Sequence, residues 1–289
     1  MSGKTPGRAR GVCVALLIAM SVSAPFGLRA DATLPDGVRL FERQQYDDAK
    51  TVLEQRLSKN PADAVAQYFL GRAYFMLCDY ERAIEHLNRA VDLDKKQPDY
   101  YFWLGRAYGE KAQRSGLLKQ AVLANKIRAA FERAVALDSG HAEARNGLGN
   151  FYAQAPGFMG GSLDAAAEQA QALTVLDPLK GGLLSARILE EQKDPVAAEM
   201  TYAELEKRYG HLPGASYLYA AYGKFLLRQR RIGDAIAKLE KQVTLEPGKL
   251  SAHFNLAAAF EAAGRSRDAA DQYAKAAKIN PTCKPPKKH

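Results

Sequence analysis

A spacing of 34 residues recurs along most of the chain and restricts the fold more than any other feature. Three glycines follow one another at this interval, at positions 37, 71 and 105. Two prolines, Pro247 and Pro281, are separated by the same interval. The segment YFLGRAYFMLCDYERAIEHLNRAVDLD at 68–94 is matched by FWLGRAYGEKA at 102–112 and by GLGNFYAQAP at 147–156. A fixed period of this length indicates a stack of similar supersecondary units rather than one globular core.

Each unit is predicted to be a pair of antiparallel α-helices. In the clearest copy, Gly71 and Ala83 are small enough to let the two helices approach, while Tyr74 and Leu87 fill the space beside them. A proline closes several copies, because proline cannot continue the hydrogen-bond ladder of a helix. These closing prolines are Pro61, Pro178, Pro247 and Pro281.

The period and these motif positions resemble the tetratricopeptide repeat (TPR). The resemblance covers residues 31–283 and implies an all-α fold, an α-solenoid of about seven helix pairs that form a right-handed superhelix. We place the seven units at 30–63, 64–97, 98–142, 143–178, 179–213, 216–249 and 250–283. The third unit has about ten extra residues, so its second helix is expected to be longer or broken.

The first 30 residues have the pattern of a secretory signal peptide. Three basic residues, Lys4, Arg8 and Arg10, precede an uncharged run at 11–28, and a small-residue site follows at 30–32. This pattern predicts export to the bacterial periplasm or the medium. Retention of the segment as an uncleaved anchor is the alternative, although its apolar core is shorter than the roughly 20 residues of a spanning helix.

Charge and hydropathy provide no case for nucleic-acid binding or for an integral membrane protein. The formal net charge of +9 includes four basic residues within 1–30 and three lysines in the tail at 284–289, for which we predict disorder. The remaining chain is nearly balanced, so a nucleic-acid partner is not expected. No second apolar run approaches spanning length, and we expect no integral span after signal cleavage.

Two cysteines remain beyond the predicted signal peptide, Cys78 and Cys283. In an extended solenoid these positions should be tens of ångströms apart, so we expect no disulfide between them. Cys78 is predicted to be a small turn residue, and Cys283 could pair with another chain.

The sequence contains no recognisable catalytic or metal-binding motif. The histidines lack helical metal-site spacing, no HExxH is present, and no serine lies in a GxSxG elbow. We therefore predict no enzymatic activity, no metal and no cofactor.

A glycine-rich stretch, APGFMGGS at 155–162, interrupts the fourth unit. It lacks the lysine and the strand of a phosphate loop, so it is interpreted as a widened corner between two helices, with Ser162 as the N-cap of the second. This corner and the long third unit resemble a subgroup of exported bacterial TPR proteins. Phe158 and Met159 are expected to pack against neighbouring units, and if exposed they would mark a partner contact.

The resemblance places the first helix of each unit on a concave groove. The residue after each small position should face the groove, which predicts a ladder of Arg72, Arg106, Asn150, Arg187 and Lys224, extended by Arg228. One helical turn earlier lie further candidates, which include Tyr68, Phe102 and Asn146. Neutralisation of the ladder by Glu110, Glu143 and Glu190 is the alternative. The lysine/asparagine carboxylate clamp of some TPR domains is not carried over, because Tyr68 and Phe102 replace its lysine.

The predicted function is an exported scaffold that holds a peptide or protein partner in this basic groove. A binding protein for an anionic small or polymeric envelope ligand is one alternative. A helical accessory subunit that regulates a separate envelope enzyme is another.

Overall fold

A computed structural model describes residues 33–285, which form seven antiparallel helix pairs. The predicted signal peptide at 1–30 and residues 286–289 of the predicted tail lie outside the described residues. The pairs are α1 (Leu34–Glu42) with α2 (Tyr46–Lys59), α3 (Ala64–Met76) with α4 (Tyr80–Leu93), α5 (Pro98–Gln113) with α6 (Leu117–Leu137), α7 (Ala142–Gln154) with α8 (Leu163–Leu176), α9 (Pro178–Glu191) with α10 (Pro195–Tyr209), α11 (Ser216–Arg228) with α12 (Ile232–Leu245), and α13 (Leu250–Ala262) with α14 (Ser266–Ile279). The prediction of an all-α stack of seven units is confirmed.

Within a unit, a small residue on the first helix lets the second helix pack closely. A Cβ atom at Gly71 would lie 2.7 Å from Leu87 Cγ, and one at Gly223 would lie 2.6 Å from Leu239 Cγ. Both leucines and Ala83 are fully buried. The close approach therefore requires glycine, as the sequence pattern predicted.

The turn between the two helices of a unit recurs in five units. Each has one residue with positive φ two positions after the last residue of the first helix, namely Gln44, Cys78, Lys193, Arg230 and Gly264. This left-handed conformation is a common way to end a helix. In two of these units the N-cap of the second helix is an aspartate, Asp79 or Asp194; Asp79 accepts a hydrogen bond from the Arg82 backbone N–H at 3.1 Å.

The third and fourth units depart from this pattern. In the third unit α5 has 16 residues and α6 has 21, so the expected longer second helix is confirmed and the first helix is lengthened as well. In the fourth unit a single 3₁₀ turn at Gly157–Met159 lies between α7 and α8. Another 3₁₀ turn, at Pro213–Ala215, joins the fifth unit to the sixth.

The expectation that Cys78 and Cys283 lie far apart is wrong. Their Cα atoms are 5.4 Å apart and their side chains form a disulfide across a sequence separation of 205 residues. Small rotations between successive units accumulate along a solenoid, and from the second unit to the seventh they bring the end of the stack beside the turn between α3 and α4. Cys78 does lie in a turn, as expected, but Cys283 is a buried partner in the same chain.

Hydrogen bonds accompany the disulfide. The Asn280 side chain donates to the Met76 carbonyl oxygen at 3.0 Å, and the Thr282 hydroxyl donates to the Leu77 carbonyl oxygen at 3.0 Å. These bonds satisfy carbonyl groups at the C-terminal end of α3 that have no partner within the helix. The segment after α14 is thus docked on the second unit by specific contacts as well as by the covalent bond.

Replacement of Cys283 by alanine should lower the free energy of unfolding by about 2–5 kcal/mol, because the bond restricts the unfolded chain over a long loop. Urea unfolding of the oxidised protein and of Cys283→Ala measures the difference. Dithiothreitol should bring the wild-type protein to the stability of the variant and leave the variant unchanged. Equal midpoints for oxidised and reduced wild-type protein would contradict the assignment.

Candidate functional site

Charged residues on α5 and α11 lie within electrostatic range of one another, although the two helices are far apart in sequence. Burial lowers the pKa of Arg106 on α5, and the charges of Glu110 and Tyr217 oppose this effect. Burial also lowers the pKa of Lys224 on α11, the charges of Arg187 and Arg228 lower it further, and Glu110 raises it. Glu110 on α5 therefore acts on a lysine more than 100 residues away.

Aromatic rings hold two arginines of the predicted ladder. The Arg72 guanidinium carbon lies 4.4 Å from the centroid of the Phe41 ring and 4.6 Å from that of Trp103. The Arg106 guanidinium carbon lies 4.3 Å from the Trp103 centroid and 4.7 Å from the Phe75 centroid. Trp103 therefore lies between the two cations, and each guanidinium is held by cation–π contacts.

These arginines and Lys224 lack a carboxylate partner. Among the described residues, no carboxylate oxygen lies within 4.0 Å of the charged nitrogens of Arg72, Arg106 or Lys224. Arg72 donates to the Tyr68 hydroxyl at 3.2 Å, but its buried Nε has no acceptor. Water reaches Lys224, while the surrounding helices partly desolvate it. A bound anion would interact with these cations more strongly than in bulk water, since their partly desolvated surroundings screen charge less.

The other end of the ladder is partly neutralised within the protein. One carboxylate oxygen of Glu190 accepts from the Arg228 Nε at 3.0 Å and lies 3.7 Å from an Arg187 nitrogen. The other oxygen accepts from the Tyr202 hydroxyl at 2.8 Å. The alternative of internal neutralisation therefore holds in part for Arg187 and Arg228, which share one carboxylate, and the buried Arg187 Nε has no acceptor. Of the other two acids named for this role, Glu110 accepts from Arg114 and Glu143 pairs with Lys180 at 3.0 Å.

The amides of the ladder bind one another. The Asn150 side-chain nitrogen donates to the Asn146 side-chain oxygen at 2.9 Å and to its backbone oxygen at 2.8 Å. The Gln154 side chain in turn donates to the Asn150 oxygen at 3.3 Å. These three residues form a row along one face of α7.

The structure places Tyr68 and Phe102 in the core, where they cannot act as the partner anchors that we expected. Tyr68 is 8% exposed and its ring centroid lies 4.7 Å from that of Tyr100 on the next unit. Phe102 is 9% exposed and packs beside Phe131. Burial raises the pKa of Tyr68 to about 12. Tyr68 packs on Tyr100 of the next first helix and Phe102 packs on Phe131 of α6, so the aromatic rings beside the cations are other residues.

Two aromatic residues of the groove were missed by the sequence analysis. Trp103 is only partly buried and contacts both arginines. Tyr217, at the start of α11, is 58% exposed, and the Lys249 ammonium lies 4.0 Å from its ring centroid. The one available signal was that Trp103 lies three residues before Arg106 on a helix, which places the two side chains on one face.

Glu190→Gln should destabilise the protein by about 2–4 kcal/mol, because Arg187 and Arg228 would keep their charges beside Lys224 without a compensating carboxylate. Urea unfolding at low ionic strength measures the loss. Glu191→Gln is the matched control, since Glu191 is exposed and next in sequence. Equal stability of the two variants would show that Glu190 does not neutralise the cluster.

The corner in the fourth unit is closed by its own backbone. The Ser162 N–H donates to the Tyr152 carbonyl at 2.9 Å, and the Gly161 N–H donates to the Pro156 carbonyl at 3.2 Å. Gly160 has φ +94°, and a Cβ at Gly161 would lie 1.7 Å from the Ala155 carbonyl oxygen. The Ser162 side chain caps α8, as the sequence predicted. The corner therefore has internal partners where a phosphate loop would present free N–H groups.

The two apolar residues of this corner behave differently. Met159 is 8% exposed and packs inward as expected, whereas Phe158 is 79% exposed, so the expectation that both pack inward is wrong for Phe158. Within a turn of three residues, both side chains cannot point to the core. Only Phe158 is accessible as a possible partner contact.

Met159→Ala should cost about 2–4 kcal/mol of stability, because it leaves a cavity at a buried site. Phe158→Ser should change stability by less than about 0.5 kcal/mol, as expected for an exposed side chain. Thermal melts of both variants make the comparison. A large loss on Phe158→Ser would show that its ring packs on the fold.

Comparison with known proteins agrees with this geometry. Sequence profiles described as tetratricopeptide repeat match residues 40–101, 128–180 and 223–282, which together exceed half of the chain. This chain belongs to the tetratricopeptide repeat family. Repeats of this family generally mediate protein–protein interaction as non-catalytic scaffolds. No curated protein matches the sequence significantly.

Solved TPR structures resemble the fold at low sequence identity. A tetratricopeptide repeat protein from Parabacteroides merdae superposes with a TM-score of 0.59 at 15% identity, over 85% of this chain and 91% of that one. A thermophilic TPR protein of Thermus thermophilus superposes with a TM-score of 0.52 at 21% identity, over 67% of this chain and 97% of that one. The APC/C hetero-tetramer Cut9–Hcn1 gives 0.55 at 13% identity, over 85% of this chain and 46% of that one. These similarities support the fold alone.

Within residues 33–285, no helix combines the length and apolar character needed to span a membrane. The same part of the chain contains no cluster of three or more histidine, cysteine or acidic side chains placed to hold a metal ion.

Proposed function

We propose that this TPR protein is an exported scaffold that holds an extended, acidic segment of a partner protein in its concave groove. The observation that carries the proposal is the set of three cations, Arg72, Arg106 and Lys224, which have no carboxylate partner among the described residues; aromatic rings hold Arg72 and Arg106. We define these three residues with Trp103 as the basic groove.

The distribution of the cations favours an extended ligand. Arg72 lies on α3, Arg106 on α5 and Lys224 on α11, so the charges belong to three different units. A peptide can contact all three with separate carboxylates, and arginine provides paired N–H donors that suit carboxylate geometry. An anionic glycan or lipid headgroup is the alternative ligand that the same charges would attract.

Two features support the proposal of export. Disulfides persist in oxidising compartments such as the bacterial periplasm and are rare in the cytosol. The Cys78–Cys283 bond joins parts of the chain that are 205 residues apart. The second feature is the signal-peptide pattern of residues 1–30.

Charge reversal at Lys224 tests the groove. Lys224→Glu should preserve or raise the melting temperature, because the new carboxylate lies near Arg187 and Arg228. It should weaken binding of acidic peptides at least about tenfold, since it removes one charge interaction and adds a repulsive one. Fluorescence anisotropy with a labelled hexa-aspartate peptide measures binding at low and physiological salt.

Lys275→Glu is the matched control, because Lys275 is exposed on α14, a second helix of its unit. The control should bind the peptide with an affinity within about twofold of wild type, apart from the general effect of net charge. Equal losses in the two variants would show that the peptide responds to overall charge and would contradict the groove. A melting shift with anionic glycans in place of peptides would favour the alternative ligand.

A further inference from the structure

The two departures from the regular repeat meet at one cavity. It has a volume of about 580 Å³ and lies between α5, α6, α7 and the corner of the fourth unit. The lengthened α6 contributes Ala124, Ile127 and Phe131 to its wall, and the corner contributes Pro156 and Met159. Phe131 packs on Gly105 as Leu87 packs on Gly71, so the α6 wall is the regular face of a second helix. A regular TPR connection has no counterpart of Pro156 and Met159, so the widened corner supplies the additional wall of this cavity.

The lining of the cavity is part apolar and part polar. Ala124, Phe131 and Met159 are buried side chains of its wall. Arg106 and Asn150, both members of the predicted ladder, also line it. A concave apolar site with a few convergent polar groups, in this range of volume, is the usual form of a binding pocket.

Gly109 lacks a side chain where the cavity has room for one, although glycine inside a helix lowers its stability. It lies inside α5 and lines the cavity, and a Cβ atom placed there would meet no atom within 4 Å. Among the described glycines beyond the first turn of a helix, it alone has no packing contact that excludes a side chain. Glycine in a helix interior lowers stability relative to alanine.

Nearby glycines show the contrast. A Cβ at Gly105 would lie 2.8 Å from the Phe131 ring, and one at Gly147 would lie 2.7 Å from the same ring. Helix packing therefore requires glycine at these two positions. It does not require glycine at Gly109, where any side chain would instead project into the cavity.

Charge along the lining selects the ligand. Glu110 also lines the cavity and its charge acts on Arg106, but its carboxylate accepts a hydrogen bond from Arg114. The Arg106 guanidinium contacts the Phe75 and Trp103 rings and has no carboxylate oxygen of the described residues within 4.0 Å. A ligand carboxylate can therefore pair with Arg106, and the cavity volume is sufficient for one large apolar side chain beside it.

We infer that this cavity is a side-chain pocket for the partner segment, and that it accepts a bulky apolar residue adjacent to an acidic residue. The inference rests on the proposed function, because it assigns specificity within the basic groove. Arg106 binds the carboxylate, and the pocket lined by Gly109, Ile127 and Met159 buries the apolar side chain.

Selection of a phage-displayed library of random heptapeptides on the purified, oxidised protein tests the pocket. The wild-type protein should enrich peptides with an acid next to leucine, isoleucine, methionine or phenylalanine. Gly109→Phe should fill the pocket and weaken the best selected peptide at least about tenfold, since the apolar side chain is no longer buried. Gly109→Ala is the matched control and should retain binding with an equal or higher melting temperature.

A peptide series on the wild-type protein gives a readout that does not depend on the variant's folding. Replacement of the apolar peptide residue by glycine should weaken binding to wild type about tenfold and to Gly109→Phe less than about twofold. Enrichment of acidic peptides without an apolar preference would overturn the pocket and leave the groove intact. No enrichment of acidic peptides would overturn both proposals.

Discussion

The docking of the segment after α14 on the turn between α3 and α4 is the contact on which the geometry of the groove depends. A linear solenoid can bend and twist between units, because each unit contacts only its neighbours. The Cys78–Cys283 bond and the hydrogen bonds of Asn280 and Thr282 add a contact between distant units. These contacts restrain the curvature of the stack between the second and the seventh unit. This curvature brings Glu110 within electrostatic range of Lys224.

Within this frame, the concave face is divided into two parts with different chemistry. Around α9 and α11, Glu190 compensates Arg187 and Arg228 and ties them to the buried Tyr202. Around α3 and α5, aromatic faces hold Arg72 and Arg106 without cancelling their charge. A cation–π contact positions a guanidinium and leaves its N–H donors directed elsewhere. The part near Trp103 is therefore the one with unused capacity for an anion.

The sequence was sufficient for the architecture, since the 34-residue period, the small positions and the helix caps are local properties. The curvature of the stack was not predictable, because the rotation between units depends on side-chain packing that the period does not encode. The error about Cys78 and Cys283 follows from this. The candidate site was predicted in part: the cationic positions were identified, but the pairing of Glu190 with Arg228 joins residues 38 apart. The burial of Tyr68 arises from Tyr100, which belongs to the next unit.

The disulfide closes the chain between residues 78 and 283, so the first unit and α3 precede the closed part, while α14 lies within it. Helix α3 carries the turn on which the C-terminal segment is docked, whereas, among the described residues, α1 and α2 have no such contact with that segment. Unfolding of a repeat array ordinarily proceeds from its two ends, where units have a single neighbour. In the described part of this protein only the first unit has such an end. Fraying should therefore be one-sided, with α1 and α2 opening long before the units that carry Arg106 and Lys224.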